Sequence, residues 1–238
     1  MLAHMLSSPV NRLKLGSRDH AALLAGEQDV CAAVFARDGH ACHVCGSRCH
    51  GAMQIDHLGG HKKSEASKLA TICAFCHDLT HPLWSGARKR IVPILAPDIS
   101  QVDLTRLAWV LLAWRGSEDA PIDTDAVVEM VEERRAAFRA KFHCGSSEAL
   151  FEAAIGVASA SQLGRPGALQ VLERIDQSLR FWPAELTPEY EDLDPASRLS
   201  VWRMGGFRVI ADEVAELIRK DQKPDFDRIM DAMKVVLS

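Results

Sequence analysis

Two patterns of hydrophobic spacing divide the chain near residue 98. Ahead of it, apolar positions come in short runs between polar turns; behind it they recur at helical spacing in longer blocks. Asn11 to Gly16 reads as a short strand, and Glu27 to Arg37 sets Val30, Val34 and Phe35 in a helical rhythm that Asp38-Gly39 ends. Ala52-Met53-Gln54-Ile55 reads as a strand delivering Asp56-His57, followed by a polar loop through Gly59-Gly60 and Lys62-Lys63-Ser64. Leu69 and Ile72 lead into a pair of cysteines, and Cys76 to His81 reads as the first turns of a helix stopped before Pro82. Ile91 to Leu95 is a β-type segment closed by Pro97-Asp98.

In the second part, Ser100 followed by Asp103 resembles a capping box. The helix behind it, Gln101 to Arg115, is apolar on most faces and is expected at the centre of the core with Trp109 and Trp114. Asp123-Thr124-Asp125 caps a second helix whose stripe is Val127, Val128, Val131, Phe138 and Phe142. Ser146-Ser147 opens a third through Phe151 and Ile155. A fourth, behind Gly164-Arg165-Pro166-Gly167, carries Leu169, Val171, Leu172, Ile175 and Leu179. Asp194-Pro195 opens a further helix that Gly205-Gly206 kinks or ends, and two more cover Val209 to Arg219 and Asp225 to Val236.

At 238 residues and 47% hydrophobic side chains, the chain can bury a sizeable core. Met1 to Ser17 lacks the apolar stretch of a signal peptide, and the longest strongly apolar run, Leu107 to Trp114, is too short to cross a bilayer. Thiols without an export signal fit a reducing bacterial cytoplasm. Residues 1 to 99 hold 11 Lys/Arg against 8 Asp/Glu and the remainder 17 against 24. The mildly basic front permits contact with nucleic acid but is no dedicated DNA-binding footprint, and the acidic back suits a protein partner. The one compact basic cluster is Arg88-Lys89-Arg90.

Four cysteines concentrate the chemistry. Cys42 and Cys45 form one C-x-x-C pair, Cys73 and Cys76 a second after a 27-residue gap, and Asp56-His57 lies between them. Two such turns can close a tetrahedral sulfur site that suits a structural Zn²⁺. The competing readings are buried apolar cysteines or a redox pair, and the flanking sequence lacks the βαβ context of the latter. Five of seven cysteines and seven of ten histidines fall between His40 and His81. Cys31, Cys49 and Cys144 read as ordinary packing or surface thiols.

The order Arg37-Asp38-Gly39, Cys42-x-x-Cys45-Gly46, Ile55-Asp56-His57, Leu69-x-x-Ile72-Cys73-x-x-Cys76-His77 resembles the HNH (ββα-metal) endonucleases over about residues 27 to 83. The resemblance implies a structural zinc on the cysteines and a second divalent ion, Mg²⁺, Mn²⁺ or Ni²⁺, held by Asp56 and His77. It makes His57 the general base that deprotonates the attacking water, while the metal stabilises charge on the phosphorane and leaving oxygen. The family's asparagine before the leucine is replaced by Lys68, whose ammonium accepts no hydrogen bond. His61, Ser67 and His81 are the nearby alternatives, and a satisfied polar residue is the plainer reading of His57.

Over residues 10 to 185 the chain resembles the DotN/IcmJ family of type IVB secretion (Dot/Icm-like) and conjugation systems. The resemblance rests on the knuckle, the run Ile91 to Ser100 leading into the apolar helix, Arg134 to Phe142, the Ser146-to-Phe151 start and Leu179-Arg180-Phe181-Trp182-Pro183. It implies a cytoplasmic adaptor of a coupling-protein complex, brought to the inner-membrane face by its partners. Those partners would be the C-terminal segment of the coupling ATPase and other secretion subunits. It does not cover residues 186 to 238.

The expected fold is therefore α+β: a small HNH-like ββα-metal zinc unit with flanking strands over residues 1–97, followed by a mostly all-helical region over 98–238. Three functions follow from this reading. They are a zinc-stabilised adaptor without membrane insertion, a metal-dependent endonuclease acting on DNA, and a DNA-binding module that the weak positive charge disfavours.

Overall fold

A computed structural model describes residues 28–48, 53–58, 65–80, 85–86, 89–114, 120, 123–143, 149, 177–188, 212–216, 228–229, 231–232 and 235. The strand expected at 11–16, the third helix apart from residue 149, the fourth up to residue 176 and the helix from 194 lie outside these residues, as do His61 and His81. Within the last two expected helices, residues 212–216, 228–229, 231–232 and 235 are helical. Helices combine with two small antiparallel sheets, so the class is α+β.

Helix α1, Gln28–Arg37, ends where Asp38-Gly39 predicts. Gly39 and His40 take φ of 57° and 54°, and the His40 N–H donates to the Phe35 carbonyl at 2.9 Å. This left-handed turn satisfies a carbonyl that the helix end leaves open, and glycine enters it without steric penalty.

Strands β1, Met53–His57, and β2, Leu69–Cys73, form a hairpin with Ile55 opposite Thr71 and His57 opposite Leu69. A 3-10 turn, Ala66–Lys68, leads into β2. Helix α2, Ala74–Thr80, follows β2 directly and packs on both strands. It starts two residues earlier than the sequence suggests, so Cys76 is its third residue rather than its first. Ile55 and Leu69 meet Val34 of α1 in a small core, whereas Ile72 and Cys73 belong to the main one.

The second sheet pairs β3, Ile91–Leu95, with β4, Leu179–Pro183, placing Leu95 opposite Leu179 and Pro93 opposite Phe181. Leu179 is thus in a strand rather than at the end of a fourth helix, and the region behind residue 98 is not all-helical. The reason is non-local: a β-type run such as Leu179-Arg180-Phe181-Trp182 becomes a strand when a partner edge supplies its backbone hydrogen bonds, and β3 lies far upstream. The sheet joins segments on either side of residue 97.

Helix α3, Gln101–Trp114, packs against β4, and α4, Thr124–Phe142, against β3. Both start as their caps predict. Ser100 Oγ accepts the Asp103 N–H at 3.0 Å and donates to Oδ2 of Asp103 at 2.7 Å; the Asp123 carboxylate accepts from the N–H groups of Asp125 and Ala126. Trp109 and Trp114 are buried, and so are Val131 and Phe138 of the α4 stripe. The Gln101 side chain reaches β4, donating to the Phe181 carbonyl at 2.9 Å and accepting the Phe181 N–H at 2.7 Å. One continuous core runs from Cys42 and Cys45 through Ile94, Trp109 and Phe138 to Trp182 and Ala232. Among the described residues, no helix is long and apolar enough to cross a membrane.

Candidate metal centre

The first knuckle is a tight turn closed by backbone. The Cys42 N–H donates to the Ser47 carbonyl and the Gly46 N–H to the Cys42 carbonyl, both at 2.8 Å, and Ala41 bridges to Arg48. Gly46 has φ of 79°, the left-handed geometry the turn requires. The second knuckle lies at the junction of β2 and α2, with Cys73 ending the strand and Cys76 in the first turn of the helix. The Cys76 N–H points at Cys73 Sγ, 3.4 Å away. The His43 N–H donates to the Thr71 carbonyl at 2.9 Å, stitching the first knuckle to the strand that carries the second.

All four Sγ atoms lie within 4.8 Å of one another, and all four residues are buried, at 0–2% exposure. Sγ of Cys45 and Sγ of Cys73 are 3.7 Å apart. That is far beyond a disulfide bond, about 2.05 Å. It matches the edge, about 3.8 Å, of a tetrahedron of sulfurs around an ion with metal–sulfur bonds of about 2.3 Å. The four cysteines can therefore hold a metal ion.

The electrostatics point the same way. Hydrogen bonds, first from Cys45 and then from Cys73 and Cys76, hold the Cys42 thiol well below its ordinary range. Burial pushes Cys73 up, and sharing protons with Cys42 pushes Cys76 up. Burial and mutual contact of the thiols oppose the build-up of negative charge in this dry site. A bound cation removes that opposition, because coordination favours the thiolate over the thiol.

Around the sulfurs, the buried Ser47 hydroxyl lies 3.2 Å from Cys45 Sγ, and Arg106 of α3 donates through Nε to the Cys45 carbonyl at 2.9 Å. On the outer side, His43 Nε2 is 3.1 Å from Asp56 Oδ2, and the carboxylate raises the His43 pKa. His77 Nδ1 is 2.6 Å from Gln54 Oε1. Strand alternation turns Gln54 and Asp56 to one face of β1 and His57, opposite Leu69, to the other. The Lys68 ammonium pairs with Glu65 at 3.0 Å, and its carbonyl accepts the Leu58 N–H beside His57. Among the described residues, the four cysteines are the group of three or more side chains gathered closely enough for a metal.

The Arg37-Asp38 pair is a clasp on β2. Arg37 donates to Asp38 and to the carbonyls of Ala66 and Leu69, at 2.8 and 2.7 Å, while Asp38 Oδ2 accepts the Thr71 N–H at 2.8 Å. Arg37 is the main reason that the Asp38 carboxyl is lowered from 3.8 to about 2. In the basic cluster, Arg90 turns to the buried Asp78 at 3.3 Å, and Ser85 donates to the same carboxylate oxygen at 3.0 Å. Sequence reasoning missed Ser47, Arg106, Gln101 and His43. Of these, His43, inside the first C-x-x-C pair, and Ser47, two residues after Cys45, offered a positional hint.

No protein-family profile matches the chain, and no curated protein matches its sequence.

Proposed function

We propose that Cys42, Cys45, Cys73 and Cys76 hold a structural zinc ion in an HNH-type ββα unit. On this reading the protein is an adaptor of a type IV secretion or conjugation coupling complex. The observation that carries the structural role is the burial of all four thiols in the same core as α3, with Arg106 fastened to the Cys45 carbonyl. Four protein sulfurs complete a tetrahedron, so an ion there stabilises the fold and leaves no coordination position for substrate. The adaptor role rests on the DotN/IcmJ-like order of motifs and on the acidic balance of residues 100 to 238. Its partner is the C-terminal segment of the coupling ATPase, met at the cytoplasmic face of the inner membrane. Elemental analysis should find one zinc per chain, and iron, the other common ion of four-thiolate sites, would overturn the zinc assignment. Zinc-loaded, folded protein should co-purify with the ATPase tail, and failure to do so would overturn the adaptor role.

One observation favours an endonuclease as a second reading. Gln54 and Asp56 share a face of β1 and Gln54 contacts His77, so the two expected ligands of a second divalent ion flank one surface. Against it stand the engagement of Asp56 with His43, the turn of His57 to the opposite face and Lys68 beside the His57 end of the hairpin. Supercoiled plasmid incubated with Mg²⁺, Mn²⁺ or Ni²⁺ decides it. Nicking that His57→Ala abolishes would establish the nuclease, and folded protein that leaves the plasmid intact would end that reading.

A further inference from the structure

The geometry points to Ser47 as a positioning residue of the metal centre, one that binds no metal and donates its hydroxyl proton to the Cys45 sulfur. Ser47 is 1% exposed, and its Oγ lies 3.2 Å from Cys45 Sγ. Its carbonyl accepts the Cys42 N–H at 2.8 Å, so the backbone that shapes the first knuckle also fixes where the hydroxyl points. The inference rests on the reading that the four cysteines hold a divalent metal.

A metal-bound cysteine is a thiolate and can only accept a hydrogen bond, so the proton between these atoms belongs to Ser47. Four thiolates around a dication leave surplus negative charge in a buried site, and each donor aimed at sulfur spreads part of it. Cys73 receives such a donor from the Cys76 backbone; Cys45, which as a thiol donates to Ser47 Oγ, accepts from Ser47 once it is a metal-bound thiolate. Outer donors of this kind strengthen metal binding and draw electron density from the ligand. Ser47 therefore tightens the site and makes Cys45 a weaker electron donor to the metal. A small apolar side chain would fill the space and do neither.

The test uses the full-length protein loaded with Co²⁺, whose sulfur-to-metal charge-transfer bands report sulfur electron density directly. Ser47→Ala should shift those bands to lower energy and weaken metal binding about tenfold to a hundredfold in competition with a chromogenic chelator. Ser47→Thr, which keeps the hydroxyl, should restore the band position. Bands unmoved by Ser47→Ala would overturn the inference even with weakened affinity, because lost packing alone does not alter sulfur electron density. The alanine variant removes only one oxygen, so its spectrum decides if the threonine variant does not fold. If the wild-type chain gives no tetrahedral thiolate spectrum, the metal reading itself falls and this one with it. A normal wild-type spectrum unchanged in the alanine variant would remove this inference alone.

Discussion

Nε of Arg106, in the second turn of α3, donates to the carbonyl oxygen of Cys45 at 2.9 Å and so ties the central helix to the first knuckle. The same guanidinium lies 4.0 Å from Asp103 one turn back, which restrains its position. Removing a partly buried charged donor from a backbone carbonyl costs about 2 kcal/mol. Arg106→Ala should lower stability by about that amount and weaken metal retention, since folding and metal binding share the knuckle. Arg106→Lys should recover only part, because a flexible ammonium lacks the fixed direction of the guanidinium. Denaturant unfolding with and without added zinc checks both.

Metal removal should have a larger effect. Binding to four-thiolate sites contributes about 10–16 kcal/mol in small zinc domains, comparable with the whole stability of many proteins. A strong chelator, or Cys42→Ser or Cys73→Ser, should abolish the cooperative thermal transition of the front half. An unchanged transition in circular dichroism would show that the cysteines do not depend on an ion.

Gln101 holds the backbone of Phe181 with both ends of its amide, in the way a neighbouring strand would. Gln101→Leu keeps the volume but leaves a buried N–H and a buried carbonyl at β4 without their partner, which should destabilise by about 2–4 kcal/mol. An unchanged slope of free energy against denaturant would show that the loss is local stability rather than altered compactness. A loss below about 0.5 kcal/mol would mean that water replaces the amide.

The clasp between Arg37, Asp38 and β2 has a defined acid limit. The Asp38 carboxyl falls from 3.8 to about 2 in the folded chain, so the unfolded state takes up its proton first as pH drops. Its stabilisation is complete above the unfolded value and is lost as pH falls through the folded one. The stability difference between wild type and Asp38→Asn should be the same at about pH 7 and about pH 5, and should narrow only below about pH 4. Narrowing already between the two upper values, in urea titrations, would contradict the assignment.

Much of the local structure was legible because it depends on neighbours in sequence. Ser100 and Asp123 stand one residue before the helices they cap, and Asp38-Gly39 stands where α1 must stop. The 14 residues of α3 are apolar on most sides, which predicted burial without any knowledge of its partners. β2 was harder: all five of its residues are buried, so no alternation marked it as a strand. β4 went unrecognised, with its first residue Leu179 read as the end of a helix, because its identity comes from β3, and a register linking Ile91 to Pro183 leaves no trace in local spacing.

The sequence by itself determined the candidate centre's donor set. Two C-x-x-C pairs specify four sulfurs in two tight turns, since two thiols at that spacing can converge on one point whatever the rest of the chain does. Only the tertiary structure decided what surrounds them. It set the Ser47 hydroxyl against Cys45 and Arg106 on the Cys45 carbonyl, occupied Asp56 with His43 and His77 with Gln54, and joined β3 to β4. Side-chain hydrogen bonds act over about 3 Å in space and ignore separation along the chain, so contacts between residues 61 or 80 positions apart become readable only after the backbone has folded.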